Sequence, residues 1–412
     1  MLLQFSVENF LSIKDRVTLS LVASKDDLLS ENLINFNKIK ILKSAALYGP
    51  NASGKTNILK ALSYIIYLIG NSHINQPGQK IKIVPFRLDR AAEDRPSAFE
   101  IIFEIDGTKY IYGVSLDQNK VYKEYLYYYP HDRRRKIFTR DLKNPDIYTF
   151  PVDENRQNVI RENTGENVLY LSRSANMNYD RTSKVVKWFL NNIITMFQDS
   201  YLTNMAGYTK RICAENKAIK GEVMKSFVSK ADRGIVDLTI KDIELGEDFL
   251  KDLPQEIRDI VMEDAQRDIE TIHCGLDKNG ERIKVAFRIE EESEGTQKIF
   301  RWSGPFLDAM ANGRLLLIDE FERSLHPLLV RYLIDTFNKS EFNNRGAQLI
   351  FATHSSYLLH PDILRRDQIW FTEKKKDQST DLRSLYEYRA RKYENIEKGY
   401  LAGRYGAIPN LD

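Results

Sequence analysis

Eight consecutive residues restrict the possible folds of this chain more than any other feature. They fit the pattern G-x-x-x-x-G-K-[ST] without a mismatch and are Gly49, Pro50, Asn51, Ala52, Ser53, Gly54, Lys55 and Thr56. Glycines let the backbone curl so that successive amide groups face a polyphosphate, and a following helix adds the positive end of its dipole. An apolar run precedes the motif and a helical pattern follows it. The sequence therefore predicts a phosphate-binding loop, with Lys55 on the β- and γ-phosphates and Thr56 as a ligand of Mg²⁺.

A second set of polar residues follows two apolar runs late in the chain. Residues 315–318 are apolar and lead directly to Asp319 and Glu320, and residues 348–352 lead to His354. A buried strand that ends in acids presents them at the carboxyl edge of a sheet, where ligands bind in open α/β folds. We predict that Asp319 holds Mg²⁺ through its water shell and that Glu320 is the general base. The alternative is a strand that simply ends at a solvated acidic turn.

The hydrophobic patterns predict the fold class. Alternating residues at 97–116, around an Asp-Gly turn, predict a β-hairpin, and continuous apolar runs are typical of a parallel sheet covered on both faces. Three later segments have helical patterns, at residues 184–196, 214–228 and 254–272. A strand is predicted between the second and third of them, near residues 234–243. We therefore expect an α/β protein with a phosphate-loop mixed sheet, an antiparallel β-meander and an inserted helical domain.

Composition excludes other classes of protein. The chain has 61 Lys+Arg and 58 Asp+Glu, and this balance argues against a strongly basic, tail-driven binder but leaves room for a local basic groove. Cys213 and Cys274 give neither a disulfide framework nor a zinc spacing, which favours a reducing compartment. We identify no signal peptide and no apolar stretch long enough for a bilayer, so we expect a cytoplasmic protein without membrane contact.

The order of the motifs resembles that of the ATP-binding cassette ATPases of the SMC, RecF and OLD-like group. About 260 residues separate the phosphate loop from Asp319, as in a head whose two halves are split by an inserted arm. Ser293 and Gly295 match that group's signature segment, and residues 324–326 match its D-loop. The Walker B pair corresponds to Asp319 and Glu320, and the switch histidine to His354.

This resemblance implies an ATPase head that uses ATP and Mg²⁺. It divides the chain into an N-terminal lobe (1–172), a helical insertion (173–282) and a C-terminal lobe (283–412). In the group, the signature helix binds the γ-phosphate held by another subunit's phosphate loop. The resemblance therefore implies at least an ATP-dependent dimer, in which Ser293 and Gly295 complete a neighbour's site.

Further matches narrow the resemblance to a bacterial subgroup that includes phage-defence ATPases of the RloA, AbiL, PARIS and Septu types. The matching positions include Asn9, Ser12, Asn57 and the segment 400–409. The subgroup implies regulation of a separately encoded effector, often a nuclease. The alternative is a RecF-like ATPase that binds DNA in repair, because both classes share all catalytic residues. Residues 355–412 are too few for an appended nuclease domain of about 100 residues, so we expect any nuclease to act in trans.

Several features of the sequence fit two interpretations. The basic residues 133–136 lie beside tyrosines at 125–129. This basic run is either a contact site for nucleic acid or a partner, or the solvated end of a hairpin. The lysines at 374–376 have the same two interpretations. The segment 399–409 either docks a partner or packs as a terminal segment. Gln76 and Gln79 follow the first helix, but no pattern assigns either to the Q-loop.

Overall fold

The structure is a computed structural model that describes residues 1–197, 205–242, 267–391 and 394–409. Its strands are β1 (Leu2–Glu8), β2 (Val17–Ser20), β3 (Leu33–Phe36), β4 (Ile39–Leu42), β5 (Ser44–Tyr48), β6 (Ser97–Ile105), β7 (Thr108–Leu116), β8 (Val121–Tyr129), β9 (Arg135–Asp141), β10 (Tyr148–Thr149), β11 (Ile193–Met196), β12 (Ile235–Asp242), β13 (Arg267–Leu276), β14 (Arg282–Arg288), β15 (Leu315–Ile318), β16 (Gln348–Ala352), β17 (Ile369–Lys374) and β18 (Thr380–Ser384).

The α-helices are α1 (Lys55–Asn71), α2 (Arg90–Glu93), α3 (Glu154–Glu162), α4 (Tyr170–Asn176), α5 (Asp180–Asn192), α6 (Met205–Glu215), α7 (Lys217–Val223), α8 (Ser229–Ala231), α9 (Glu294–Asn312), α10 (Pro327–Asn338) and α11 (Ile396–Leu401). Within the described ranges, every helix is too short or too polar to cross a membrane.

An antiparallel sheet of seven strands forms the β-meander, in the order β10-β9-β8-β7-β6-β1-β2. The predicted hairpin at 97–116 is confirmed, because β6 and β7 pair in continuous register around the turn. Asp106 and Gly107 both have positive φ, at 47° and 78°, as a tight two-residue hairpin requires. Residues of β6 alternate between buried and half-buried, so one face of this sheet packs on the core and the other faces outward.

A second sheet of six strands, in the order β11-β15-β16-β5-β17-β18, carries the phosphate loop. The strands β15, β16, β5 and β17 run parallel, and β18 is antiparallel at the edge. Every residue of β5, β15 and β16 is buried, which explains why these strands read as continuous apolar runs. Their carboxyl ends lie at one edge of the sheet.

The chain divides into two compact units. Unit 1 comprises Met1–Thr195, Gly313–Phe321 and Ile334–Asp412, and it contains both large sheets. Unit 2 comprises Met196–Asn312 and Glu322–Leu333. Its core joins residues of α6, α7 and α9 to the three-stranded sheet β12-β13-β14, and includes Leu238, Ile269 and Phe300. The three-part division at residues 172 and 282 stays a prediction.

The predicted fold class is confirmed by the mixed sheet with the phosphate loop and by the antiparallel meander. The strand predicted near 234–243 is confirmed as β12. The helix predicted at 254–272 is wrong for residues 267–272, which begin β13, and its remainder lies outside the described residues. In β13, Ile269 and Thr271 are buried while Asp268, Glu270 and Ile272 are half-buried, and this alternation of burial is the period of two that a strand has.

Two other predicted helices have different ends. The helix predicted at 184–196 ends at Asn192, because the β-branched residues that follow join the six-stranded sheet as β11. The helix predicted at 214–228 is interrupted at Asn216, whose side chain accepts hydrogen bonds from the amides of Ala218 and Ile219. This side-chain cap starts α7 as a separate helix.

Candidate active site

The phosphate loop joins β5 to α1 and has a backbone that only glycine fits at two positions. Gly49 has φ 156° and Gly54 has φ 113°. A Cβ atom on Gly49 would lie 2.6 Å from Ser53 Oγ, and one on Gly54 would lie 2.7 Å from Thr380 Cγ2. Both glycines of the motif are therefore required by the surrounding atoms as well as by the backbone turn.

A chain of hydrogen bonds holds this loop from outside. Asn57 Nδ2 donates to Ser12 Oγ at 2.6 Å, and Ser12 Oγ lies 2.7 Å from Thr380 Oγ1. Thr380 Oγ1 donates to the carbonyl oxygen of Ser53 at 2.9 Å. On the other side, Ser53 Oγ lies 2.6 Å from Thr372 Oγ1. The loop is thus fastened to β17 and β18, and Ser12 and Asn57 take part in this fastening.

The turn between β17 and β18 is tied in addition to the N-terminal part of the chain. Lys14 Nζ lies 2.9 Å from a carboxylate oxygen of Asp377 and 2.9 Å from one of Asp89. Hydrogen bonds from Ser379 and Lys14 hold the pKa of Asp377 well below its usual value. These contacts fix the turn that presents Thr380 to the phosphate loop.

Lys55 lies at the first position of α1 and is almost fully buried. Its Nζ donates to the carbonyl oxygens of Gly49 at 2.8 Å and of Pro50 at 3.1 Å. These contacts keep the ammonium group within the curl of the loop. Thr56 and Asn57 follow in the first turn of α1, both half-buried, while Asn51 and Ala52 are exposed at the loop's tip.

The acidic pair lies at the same edge of the sheet as the loop. In the register, Ile318 is opposite Phe351 and Ala352 is opposite Leu47, so the ends of β15, β16 and β5 are level. Adjacent strands are about 5 Å apart. Asp319 is half-buried directly after β15. Glu320 is exposed and has φ 49°, a left-handed conformation that costs a non-glycine residue energy and occurs often at functional sites.

His354 follows β16, the strand between the acidic strand and the phosphate-loop strand. It is exposed, and the loop that carries it is fixed on both sides. The amide of Thr353 donates to Leu47 O at 3.0 Å, and Tyr48 Oη donates to Ser355 O at 3.3 Å. The structure thus brings His354 to the sheet edge that also carries the loop, Asp319 and Glu320.

The C-terminal segment packs against this site from the same chain. Tyr400 of α11 contacts Tyr48 edge-on at 5.9 Å and stacks on Phe371 of β17 at 5.4 Å between ring centroids. Ser356 Oγ, two residues after His354, donates to Glu397 of α11 at 2.8 Å. Within the segment 399–409, Tyr400 therefore packs on the strand before the phosphate loop, and Glu397, just before the segment, holds the loop of His354. These contacts support the interpretation of a packed terminal segment.

The signature residues lie in unit 2, at the N-terminus of α9. Ser293 is exposed, and its Oγ accepts the amide of Thr296 at 3.2 Å, so it is the N-cap of a 19-residue helix. A Cβ atom on Gly295 would lie 2.7 Å from the carbonyl oxygen of Ser324, a residue of the predicted D-loop with φ 60°. The signature turn and the predicted D-loop are therefore in direct contact within unit 2.

The turn before Ser293 is held by its own hydrogen bonds. Glu292, almost fully buried, accepts from Thr271 Oγ1 and lies 2.8 Å from His273 Nε2, both on β13. Gln297 Nε2 donates to the carbonyl oxygens of Glu290 at 3.1 Å and of Glu292 at 2.9 Å. Glu292 is therefore a structural anchor of the signature turn rather than a solvated strand end.

Gln76 and Gln79 lie far from the site. They follow the C-terminal end of α1, whereas the phosphate loop is at its N-terminal end, and 17 helical residues span about 25 Å. Their backbone carbonyls accept from Asn167 Nδ2 at 2.8 Å each. These glutamines support a loop and do not reach the predicted phosphate site.

The donor set fits a nucleoside triphosphate with a hard cation. The loop and the start of α1 supply backbone amides and one ammonium group, which suit phosphate oxygens. A threonine hydroxyl and an aspartate carboxylate are oxygen ligands of the kind that Mg²⁺ accepts alongside phosphates and water. The residues that the sequence motifs did not reveal are Thr372, Thr380, Ser356 and Glu397, which hold this set in place.

Fold and loop together have the form of a phosphate-loop nucleotide-binding domain. Residues 44–360 match the family described as "AAA domain, putative AbiEii toxin, Type IV TA system". Because the match covers most of the chain, the protein belongs to this AAA-domain family. Among curated proteins, none is similar enough to this chain to count as a relative.

Two solved structures are similar to the chain over nearly its whole length. One is an SMC head domain from Thermotoga maritima, with 14% identity, 93% of this chain and 98% of that chain covered, and a TM-score of 0.40. The other is the SmcHead bound to the C-winged helix domain of ScpA, with 13% identity, 94% and 99% coverage, and a TM-score of 0.42.

Proposed function

We propose that this chain binds ATP with Mg²⁺, hydrolyses it, and assembles through head-to-tail ATP sites to regulate a separately encoded effector in anti-phage defence. One observation carries the ATPase assignment. The parallel order β15-β16-β5 brings the acidic pair, His354 and the phosphate loop to a single edge of one sheet. That is where open α/β sheets bind ligands.

Each residue has a role that follows from its chemistry. The loop amides and Lys55 bind the β- and γ-phosphates, and Thr56 and Asp319 hold Mg²⁺, which neutralises charge on the phosphates. Glu320 takes a proton from the attacking water, because it is the exposed carboxylate beside the acidic strand. His354 contacts the γ-phosphate, because its strand lies between the other two.

The signature residues supply the reason for assembly. Ser293 is exposed at the start of a long helix, whose amides and dipole attract an anion. A second copy's γ-phosphate is the anion we assign to it. ATP then favours the assembled state because it contacts both copies, and hydrolysis removes that contact. The effector and the defence role rest on the resemblance to the phage-defence subgroup.

The ATPase and the assembly are tested with three variants of the full chain. Glu320→Gln should bind ATP, fail to hydrolyse it, and sediment as an assembly when ATP is present. Lys55→Ala should lose ATP binding, and Glu341→Gln, a change at an exposed acid in the same unit, should behave as wild type. Radiolabelled ATP retention and analytical ultracentrifugation provide the readouts. A Glu320→Gln protein that hydrolyses ATP normally, or stays monomeric with bound ATP, contradicts the proposal.

The defence role needs a separate test. The gene should be expressed with its neighbours in a host challenged with phage, and plaque counts compared for wild type and Lys55→Ala. We expect the variant to lose protection. Unchanged plaque counts together with increased sensitivity to DNA damage would instead favour the RecF-like alternative.

A further inference from the structure

The outward face of the seven-stranded sheet carries three tyrosines in line. Tyr125, Tyr127 and Tyr129 alternate along β8 with residues of the opposite face, and we name them the tyrosine ladder. All three are half-buried, so part of each ring is accessible. The rings of Tyr125 and Tyr127 are 5.3 Å apart between centroids. Alternate residues on a strand are about 6.6 Å apart, so the ladder forms a row of ring surfaces.

Cations surround the end of this row. Arg133, Arg134, Arg135 and Lys136, which we name the basic tip, form the turn and the start of β9 beside the tyrosine ladder. Arg134 Cζ lies 3.8 Å from the ring centroid of Tyr127, and Lys109 Nζ lies 3.9 Å from that of Tyr129. The three arginines are exposed, and Lys136 and Lys109 are half-buried.

Within the part of the chain that the structure describes, no carboxylate pairs with these five cations. Acids do lie nearby. Asp132 is exposed at the same turn, Glu100 is engaged by Arg16 and Tyr125, and Asp141 lies 3.9 Å from Lys123. The basic tip thus presents three exposed arginines that pair with no carboxylate among the described residues.

The second basic run in the sequence differs. Lys375 Nζ lies 3.2 Å from Asp15 and 3.8 Å from Asp381, and Lys374 Nζ donates to the carbonyl oxygen of Gln378. Those lysines have partners within the chain. The contrast shows that the two runs, which are alike as sequence, have different surroundings in the structure.

We propose that the tyrosine ladder and the basic tip form a binding site for single-stranded nucleic acid. Uncompensated cations attract a phosphate backbone and release its counterions. Aromatic rings in a row on a sheet face bind bases by stacking, which requires bases that are not paired in a duplex. An acidic peptide would pair with the cations but has no planar bases that stack on the tyrosine rings.

The site is separate from the ATP site of the proposed function. Its residues are on β7, β8 and β9 of the seven-stranded sheet, whereas the phosphate loop extends from β5 in the six-stranded sheet. Nucleic-acid binding should therefore be independent of Lys55. Lys55→Ala should bind single strands as wild type does, so a failure of one proposal is distinguishable from a failure of the other.

The test uses fluorescence anisotropy of the full chain with labelled 20-nucleotide single-stranded DNA and RNA, and with duplex DNA. The variant R133A/R134A/R135A should weaken binding of single strands at least about tenfold and reduce the slope of log K against log salt by about 2. The matched variant K374A/K375A/K376A removes the same charge and should change affinity less than about threefold. The nucleic acid that binds more tightly, DNA or RNA, identifies the preferred ligand.

A second variant tests the stacking part. Y127L/Y129L should weaken single-strand binding about tenfold while leaving the salt slope unchanged, because leucine is apolar and uncharged but has no ring face. Circular dichroism should show that both variants fold. Equal loss in the two triple variants, no loss in Y127L/Y129L, duplex binding as tight as single-strand binding, or full competition by poly-glutamate would each overturn the proposal.

Discussion

Gly54 is a residue at which two independent constraints coincide. Its φ of 113° disfavours any side chain, and a Cβ atom would lie 2.7 Å from Thr380 Cγ2. Gly54→Ala should therefore lower the free energy of unfolding by about 2–5 kcal/mol, from backbone strain and overpacking together. It should also abolish ATP binding, because the loop cannot keep its curl. Urea unfolding and isothermal titration with ATP measure the two effects.

Gly78 is the matched control at the residue scale. It also has positive φ, 77°, but a Cβ atom there would meet nothing within 4 Å. Gly78→Ala should cost only about 1 kcal/mol of stability and leave ATP affinity unchanged. If both alanine variants cost the same, the close approach of Thr380 has no energetic effect.

At this scale the sequence predicted the loop but not the residues that fasten it. The glycines and Lys55 form a contiguous motif whose chemistry is local. Thr372 and Thr380 contact Ser53 from positions more than 300 residues away, and neither belongs to a motif. Their proximity depends on the strand order, which no local pattern contains.

Among the elements, α11 is hydrogen-bonded to the loop that carries His354, the residue that we propose contacts the γ-phosphate. Ser356→Ala and Glu397→Ala each remove the hydrogen bond that joins α11 to the loop of His354. Each should lower kcat for ATP hydrolysis about tenfold with KM little changed, because positioning of the catalytic group suffers while the phosphate loop remains. The double variant should be no slower than either single one.

Leu401→Ala provides the control on the same helix, because Leu401 is 62% exposed. Steady-state kinetics and thermal unfolding should be measured for all four proteins. A drop in kcat that parallels a drop in thermal stability, or additive effects in the double variant, would show that α11 acts through general stability only.

Glu124 joins two elements of unit 1 and makes stability depend on pH. Its buried carboxylate on β8 accepts from the amides of Tyr170 (2.7 Å) and Leu171 (2.9 Å) at the start of α4, and from Tyr112 Oη (3.0 Å). Burial raises the pKa of Glu124 above 4.5, so the folded state favours the protonated form. This contribution is complete below the unfolded pKa and is lost as pH rises through the folded one.

Glu124→Gln removes this titration. The difference in unfolding free energy, wild type minus variant, should therefore fall as pH rises from 4 toward 8, as measured by urea unfolding at each pH. A difference that is constant over this range, or that grows with pH, contradicts the raised pKa.

The elements that the sequence assigned wrongly are short and depend on their neighbours. Residues 193–196 continue a helical pattern, yet they form β11 beside β15. Residues 267–272 have no clear sequence alternation, and their pairing with β12 and β14 determines that they form a strand. The helical pattern that follows the phosphate loop was predicted correctly as α1, because the apolar spacing that defines its buried face lies within the segment itself.

At the scale of the whole molecule, the placement of the charges and the order of the strands carry information that the amino-acid composition does not contain. A net charge of +3 is close to neutral, but the cations of the basic tip pair with no carboxylate among the described residues, whereas Lys375 pairs with Asp15 and Asp381. The sheet order β15-β16-β5-β17 joins strands from both ends of the chain. The motifs predicted that β5, β15 and β16 end at one ligand-binding edge, whereas β17 belongs to no motif, and the register of all four strands follows only from the three-dimensional structure.

The division of the motifs between units leads to a test of the head-to-tail assembly. The phosphate loop and Glu320 belong to unit 1, and Ser293 belongs to unit 2. If two copies share each ATP site, Lys55→Ala and Ser293→Arg are inactive alone but restore one intact site when mixed.

A 1:1 mixture should then regain about a quarter of wild-type ATPase activity, since half of the dimers are mixed and each has one working site. The control is the double variant K55A/S293R mixed 1:1 with wild type. Its mixed dimers contain no intact site, so only the quarter of dimers that are purely wild type are active, and activity should fall to about a quarter instead of the half expected for independent copies. No recovery in the first mixture would show that the phosphate loop and the signature segment do not complete each other across copies.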